Sequence, residues 1–326
     1  MKTPYRSVAV IGEGQLLPEI ALCLLKAGHY VVEYCHNGDE TTSASLAKLE
    51  NIHIYPNQLK TLSNLRELPG VDLVVVNSPE NGSLKRELLR EIVDIVSPKT
   101  VIAVNTESFS LDELRIGLSN PERIIGLNWV QPAHVTLFSE LIVMPDTPSV
   151  LVDDMVDLAK AYWGKDPYVV DRGKSIRSRL MAAMIREAFF LIENGFVTEV
   201  DIDRACRNDA GYYLPFAGNL RYMDLMGTYV YGVVMEDLNG ELATNKEIPD
   251  FFQELLSKHP KPGLATGEGF YSYTPEEKEK LKADCHKFGK KIRALMDKYP
   301  FPRDNPNEVP KPLKESMAFP HKNRSL

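Results

Sequence analysis

Residues 7–35 read SVAVIGEGQLLPEIALCLLKAGHYVVEYC, and this stretch decides the fold. It consists of an apolar strand, a glycine turn, an apolar helix and a second apolar strand, the opening pattern of a dinucleotide-binding domain. Gly12 and Gly14 occupy two of the three glycine positions of G-x-G-x-x-G, and the third position is Leu17. A leucine there is expected either to push the helix start away from a bound pyrophosphate or simply to pack the helix on the sheet.

The end of the second strand departs further from the motif. Enzymes that bind NAD place Asp or Glu there to accept hydrogen bonds from the ribose hydroxyls, whereas this chain has Cys35. A cysteine at a strand end is more often a small buried apolar residue than a reactive thiol. We therefore expect Gly12, Gly14 and Cys35 to line an NAD site with a weakened hold on the cofactor.

Composition and charge exclude several classes of protein. The 326 residues are 44% hydrophobic and carry a formal net charge of -7, so we expect a large core and no nucleic-acid or membrane partner. The four cysteines are far apart and predict neither a metal site nor a disulfide framework. A cytoplasmic protein is expected, because the first strand begins too early to leave room for a signal peptide.

The alternation of strand-length and helix-length runs predicts a Rossmann-like, doubly wound parallel sheet followed by an all-α domain. Strands are predicted over residues 8–11, 31–34, 73–76, 101–104, 124–128 and 141–144, with a weaker one over 52–55, and helices over 84–96 and 111–118. Helices alone are predicted later, over 180–192, 223–235 and 281–296. The chain is thus divided into a dinucleotide-binding domain (1–172), a helical substrate and dimerisation domain (173–299) and a Pro-rich extended tail (300–326).

Residues 101–144, VIAVNTESFSLDELRIGLSNPERIIGLNWVQPAHVTLFSELIVM, resemble the L-3-hydroxyacyl-CoA dehydrogenase family, whose pattern there is close to NTSSL followed by RFxGLHFFNPxxxMxLVEVI. The similarity continues at residues 72–92, 171–195 and 263–273 and so covers most of the chain. The resemblance implies NAD as the cofactor, a small-molecule substrate such as an acyl-CoA, a homodimer formed through the helical domain, and a role in fatty acid metabolism. It also implies that Glu80 and Asn105 contact the cofactor.

The catalytic positions that the resemblance assigns are mostly substituted in this chain. The family's general base is a His that takes the proton from the 3-hydroxyl while hydride leaves for the nicotinamide, and Asn128 stands at that position. The Glu that pairs with this His is matched by Glu140, the substrate-contacting Ser by Glu107, and the Asn of VNRLL by Ser178. Because an amide has no titratable proton near neutral pH, we expect weak or altered activity, or a non-catalytic relative that uses the cleft for binding.

Several alternatives stay open at this point. A buried Glu can have its pKa raised toward neutrality, so Glu140 or Glu107 is a candidate base, and a role of Glu140 only as an ion-pair or hydrogen-bonding partner is equally open. His134 is another candidate, but a loop or surface role is more common for such a histidine. Three basic residues either meet ligand phosphates or form a solvated junction, namely Lys174, Arg177 and Arg179. The aromatic residues of the helical domain are expected in core and subunit contacts: Tyr212, Tyr213, Phe216, Tyr222, Tyr229 and Tyr231.

Overall fold

The computed structural model describes residues 5–35, 58–68, 70–258 and 263–299. The predictions for residues 52–55 and for the tail from residue 300 lie outside these ranges. The strands of the described part form one eight-stranded sheet in the order β3-β2-β1-β4-β5-β6-β7-β8. They are β1 (Ser7–Gly12), β2 (Tyr30–Cys35), β3 (Leu59–Leu62), β4 (Leu73–Asn77), β5 (Val101–Val104), β6 (Ile124–Asn128), β7 (Glu140–Val143) and β8 (Tyr168–Asp171).

Neighbouring strands are parallel except at one place. β6 and β7 pair antiparallel, with Asn128 opposite Glu140, and β8 then runs parallel to β7. The sheet is therefore mainly parallel, and the starts of β7 and β8 lie at the same edge as the ends of the first six strands. This reversal brings residues that are far apart in the chain to one edge.

The helices divide into a set that covers the sheet and a set that follows it. The first set is α1 (Leu16–Lys26), α2 (Gly82–Ile95), α3 (Leu111–Arg115) and α4 (Ser149–Ala161). The second is α5 (Ile176–Glu193), α6 (Glu199–Ala205), α7 (Gly211–Met226), α8 (Thr228–Leu238), α9 (Asp250–Lys258) and α10 (Pro275–Lys298). The predicted fold class, a Rossmann-like sheet followed by a helical domain, is confirmed.

The core lies in two apolar layers, one on each face of the sheet. Leu17 packs in the layer that holds α1 against β1, and only 2% of its surface is exposed. Of the two expectations for this residue, packing of the helix on the sheet is therefore the one that the structure supports. α2 and α3 pack against the other face.

Two of the differences from the sequence prediction lie in the helical domain. The single helix predicted over residues 223–235 is wrong, because Gly227 has φ 100° and separates α7 from α8. A core position is also wrong for Tyr212 and Tyr229, which are 81% and 82% exposed in this chain. Among the described residues, no helix combines the length and the apolar character that crossing a membrane requires.

Candidate active site

The glycine turn lies where the strand order reverses. β1 has β2 on one side and β4 on the other, and the crevice outside the carboxyl ends of such strands is where open α/β sheets bind ligands. Gly12 ends β1 beside Cys35 of β2 and Asn77 of β4. The sequence motif and the sheet topology thus point to the same place.

The two glycines of this turn differ in the space around them, and the open side is at Gly14. Gly12 has φ 141°, and a Cβ there would collide with the backbone oxygen of Asn77. Gly14 has φ 89° and nothing within 4 Å of where its Cβ would stand. Gln15, the N-cap of α1, makes no side-chain capping hydrogen bond. An open surface in front of a helix N-terminus fits the pyrophosphate of a dinucleotide.

A buried lysine joins the two predicted cofactor residues Glu80 and Asn105. Lys85 of α2 is fully buried, and its Nζ lies 3.2 Å from Glu80 Oε2 and donates to the backbone oxygen of Asn105 at 2.7 Å and to Asn105 Oδ1 at 3.0 Å. Burial lowers the pKa of Lys85, against the opposing charge of Glu80. Glu80 Oε1 in turn accepts from the backbone N–H of Glu107 and Ser108. The cluster holds the loops after β4 and β5 together at the edge of the glycine turn.

Asn128 is held by its neighbours on every side of its amide. Its Oδ1 accepts from the backbone N–H of Thr106 at 2.7 Å, and its Nδ2 donates to the Thr106 carbonyl at 2.7 Å and to Glu140 Oε2 at 2.8 Å. The side chain is 2% exposed. The amide therefore links the loop after β5 to the start of β7.

Glu140 is fully buried and surrounded by donors. Its Oε1 accepts from Tyr168 Oη at 2.8 Å and from the backbone N–H of Ile176 at 2.8 Å and of Arg177 at 3.3 Å. Burial alone would raise the pKa of Glu140, but the hydrogen bonds, led by those from Ser175 and Asn128, outweigh it and hold that pKa below its ordinary value. The expectation of a raised pKa is wrong for Glu140, because the side chains of Ser175, Asn128 and Tyr168 and then the backbone of α5 stabilise the carboxylate.

The remaining two predicted positions are joined by an arginine. Glu107 accepts from Arg177 Nη1 at 3.2 Å on both oxygens and from Ser178 Oγ at 2.8 Å. The Arg177 guanidinium also lies 5.9 Å from the ring centroid of Phe138. Arg177 therefore belongs to the site and not to a solvated junction, whereas Lys174 and Arg179 are exposed.

His134 lies in the loop between β6 and β7. Its ring is tilted against that of His286 in α10, with the centroids 4.9 Å apart. The described contacts place it toward the helical domain and do not join it to Asn128 or Glu140. In the described ranges, no group of three or more His, Cys, Asp or Glu side chains is arranged to hold a metal ion.

Sequence reasoning missed Lys85 and Tyr168, and it left the place of Arg177 open. A signal for Lys85 is present, because residues 85, 88, 89 and 92 follow the i, i+3, i+4, i+7 spacing of an apolar helix face and place a lysine on it. Tyr168 carries no comparable signal, since only the pairing of β8 with β7 brings it beside Glu140.

The family model that matches the sheet domain and a similar solved structure support an NAD-dependent oxidoreductase. Residues 7–173 match the family model of the 3-hydroxyacyl-CoA dehydrogenase NAD binding domain, and residues 176–273 match that of the C-terminal domain. The chain belongs to the 3-hydroxyacyl-CoA dehydrogenase family, and hydroxyacyl dehydrogenase-type activity is the activity of that family.

The individual relatives share less than a third of their residues with this chain. The 5-formyl-3-hydroxy-2-methylpyridine 4-carboxylate 5-dehydrogenase of Mesorhizobium japonicum is 28% identical over 306 residues, which cover 90% of this chain and 98% of the relative. Human mitochondrial hydroxyacyl-coenzyme A dehydrogenase is 28% identical over 296 residues, which cover 83% and 92%. A crystal structure of 5-formyl-3-hydroxy-2-methylpyridine 4-carboxylic acid 5-dehydrogenase, an NAD+ dependent dismutase, aligns with a TM-score of 0.81 and 27% identity over 90% of this chain and 99% of that chain.

Proposed function

We propose that the chain is an NAD(H)-dependent oxidoreductase whose activity on 3-hydroxyacyl-CoA is weak or altered. The observation that carries the proposal is the hydrogen bonding of Asn128, whose Nδ2 donates both to the Thr106 carbonyl and to Glu140. An amide held in this way cannot take the proton of a substrate hydroxyl. Loss of a general base alone costs about 10²- to 10⁴-fold in rate.

The proton of the substrate hydroxyl needs another acceptor. Glu140 is poorly suited, because it is fully buried and its low pKa leaves the carboxylate a weak base. Glu107 is 43% exposed and lies at the open side of the same edge. In our proposal Glu107 takes this proton, while Arg177 and Ser178 fix the orientation of its carboxylate.

The cofactor residues of the proposal are those that surround the glycine turn. Gly14 leaves space open for the pyrophosphate, Gly12 lets the turn pass close to the Asn77 backbone, and Cys35 stands at the ribose position. Glu80 and Asn105 border the turn from the loops after β4 and β5. NAD, when bound, supplies the hydride acceptor. The absence of an acidic residue at position 35 supports a weaker affinity than the motif usually gives.

Two substrate classes follow from the relatives and from the arginine of the site. One is acyl-CoA, as in the human relative, and the other is a carboxylated hydroxy or formyl compound, as in the Mesorhizobium relative. Among the described residues, the Arg177 guanidinium binds the carboxylate of Glu107. A substrate carboxylate is suited to the same guanidinium, which favours including the second class in any screen.

A second candidate function is that of a non-catalytic relative that acts as a binding module. The locked amide of Asn128 favours it, as do the exposed apolar side chains of the helical domain, among them Leu180, Leu220 and Tyr229. We propose that these side chains pair with a second copy of the chain in a homodimer, because apolar patches of this kind mark interfaces.

Titration with NADH and with NADPH, followed by nucleotide fluorescence and checked by calorimetry, separates the two candidates. Micromolar binding of either nucleotide supports the oxidoreductase and is followed by a screen of both substrate classes. No binding at millimolar nucleotide contradicts the oxidoreductase and favours the binding module.

The position of Asn128 is tested by Asn128→His, with Asn128→Ala as the matched control. Both variants lose the bonds to Thr106, but only the histidine places an imidazole beside Glu140. We expect Asn128→His to oxidise 3-hydroxyacyl-CoA about 10²-fold faster than Asn128→Ala or the unchanged chain. Equal rates in all three would contradict the assignment of position 128 as the missing base.

A further inference from the structure

The loop between Asn128 and Glu140 is held by charged side chains from three separate elements. The backbone N–H of Ala133 donates to Glu19 Oε2 of α1 at 2.7 Å. Lys165, in the turn between α4 and β8, donates its Nζ to the carbonyls of Ala133 and Thr136. Arg293 of α10 donates to the carbonyl of Val135 at 3.3 Å. These bonds hold the 133–136 turn from the α1 side, from the α4–β8 turn and from the helical domain.

Lys165 is the most enclosed of these groups. It is 5% exposed, and its Nζ lies 5.2 Å from the ring centroid of Trp129, the residue after Asn128. Burial lowers the pKa of Lys165 to about 8, with Cys23 and Glu19 acting against the decrease and Arg293 adding to it. A buried ammonium is unfavourable unless acceptors surround it, and here those acceptors are loop carbonyls.

The chain next to Lys165 is bonded to the same loop. The backbone N–H of Asp166 donates to the Leu137 carbonyl at 2.8 Å, and that of Tyr168 donates to the Ser139 carbonyl at 3.2 Å. The second half of the loop, residues 133–139, is therefore bonded to the segment that carries Lys165, and a shift of that segment would displace it.

We propose that Lys165 is a positioning residue that fixes the 129–139 loop, so that Asn128 and Glu140 keep their places relative to α1 and the glycine turn. Glu19 and Arg293 complete the arrangement by holding the same turn from α1 and α10. The consequence for catalysis rests on the proposed function, whereas the consequence for loop position does not.

The chain offers a direct reporter of this loop. It contains two tryptophans, Trp129 and Trp163, and their ring centroids lie 5.2 Å apart beside Lys165. Intrinsic fluorescence of the full chain therefore reports the loop without any substrate. We expect Lys165→Met to shift the emission to longer wavelength and to raise quenching by acrylamide, because the loop loses its donors and opens to solvent.

The matched control is Lys160→Met on α4, where Lys160 is exposed, and it should leave emission and quenching unchanged. Lys165→Arg keeps a cation and its donors, so its emission and acrylamide quenching should stay close to those of the unchanged chain. If Lys165→Met does not fold, Arg293→Met serves instead, since Arg293 is 30% exposed and its loss should change quenching in the same direction. Unaltered quenching in a folded Lys165→Met, or in Arg293→Met where the former does not fold, overturns the proposal.

Turnover provides the second readout. With a substrate found in the screen, Lys165→Met should lower kcat by about 10²-fold, since small misplacements in a site have effects of that size, while NADH affinity and KM change far less. If the unchanged chain neither binds NADH nor turns over any substrate, the proposed function is refuted. A fluorescence change in Lys165→Met would still support the loop assignment in that case. An unchanged kcat beside a changed fluorescence refutes the catalytic consequence alone.

Discussion

Replacing Glu140 by Gln tests whether this side chain is a structural anion or a catalytic base. The carboxylate accepts from Asn128 on one oxygen and from Tyr168 and the α5 backbone on the other. A glutamine amide nitrogen at either position faces an N–H donor. Asn128 cannot rotate to present its oxygen instead, because Thr106 already binds both ends of its amide.

The magnitude follows from these contacts. One buried hydrogen bond is lost, at about 1–3 kcal/mol, and the others fall from the charge-assisted range of about 1.5–3 kcal/mol to the neutral range of about 0.5–1.5 kcal/mol. Removing a buried charge recovers part of its desolvation cost. We therefore expect Glu140→Gln to lower the free energy of unfolding by about 3–5 kcal/mol and the Tm by about 10 °C.

Thermal and urea denaturation measure this change, with Glu91→Gln on the exposed side of α2 as the control. Because the pKa of Glu140 is lower in the folded chain, its contribution is complete above the unfolded pKa of about 4.3 and is lost as the pH falls through the folded pKa. The difference in free energy of unfolding between Glu140→Gln and the unchanged chain should therefore become smaller below about pH 4. A stability equal to that of the control, together with abolished turnover, would refute this reasoning and identify Glu140 as a base.

Three further outcomes are expected. Gly12→Ala should prevent stable folding, because the new Cβ would collide with the backbone oxygen of Asn77 in the neighbouring strand β4. Gly14→Ala should lower the free energy of unfolding by only about 1–2 kcal/mol, followed by thermal denaturation, because the space there is open. His29 is buried, its Nε2 accepts from the indole N–H of Trp163, and burial lowers its pKa. Its contribution to stability is therefore complete above the unfolded pKa of about 6.5 and is lost as the pH falls toward the folded pKa. His29→Phe should flatten that part of a curve of Tm against pH. Lys85→Met should lower the free energy of unfolding, measured by urea denaturation, by about 2–3 kcal/mol, because the partly exposed carboxylate of Glu80 loses its cation. The same variant should bind NADH more weakly in the titration.

The sheet was the most predictable part of the molecule, for a physical reason. Parallel strands covered on both faces appear in the sequence as continuous apolar runs. The runs predicted as strands therefore match β1, β4, β5 and β6 closely. β8 was not predicted because it lies at the sheet edge and three of its four residues are not buried. The helix break at Gly227 was missed because apolar residues continue on both sides of it.

The candidate site was predictable in its residue positions but not in its electrostatics. Matching the family pattern pairs position 128 with position 140, and the antiparallel register of β6 and β7 places the two residues opposite each other. The pKa of Glu140 depends on donors from β8 and α5, which are 28 to 37 residues away along the chain. Burial was foreseen for this carboxylate, whereas the number of donors that converge on it is a property of the tertiary fold.

The turn between β8 and α5 explains why Glu140 is held as an anion. Arg172 and Gly173 have φ 63° and 101°, and this left-handed pair lies where the chain turns from the far end of β8 toward Glu140. α5 therefore begins at the carboxylate, and its first backbone N–H groups and its dipole favour the negative charge. A charge fixed by a helix N-terminus is available to stabilise a positive partner at position 128, whereas the amide found there donates only a neutral hydrogen bond to it. Asn128→His is thus the substitution for which the rest of the site already supplies the partner.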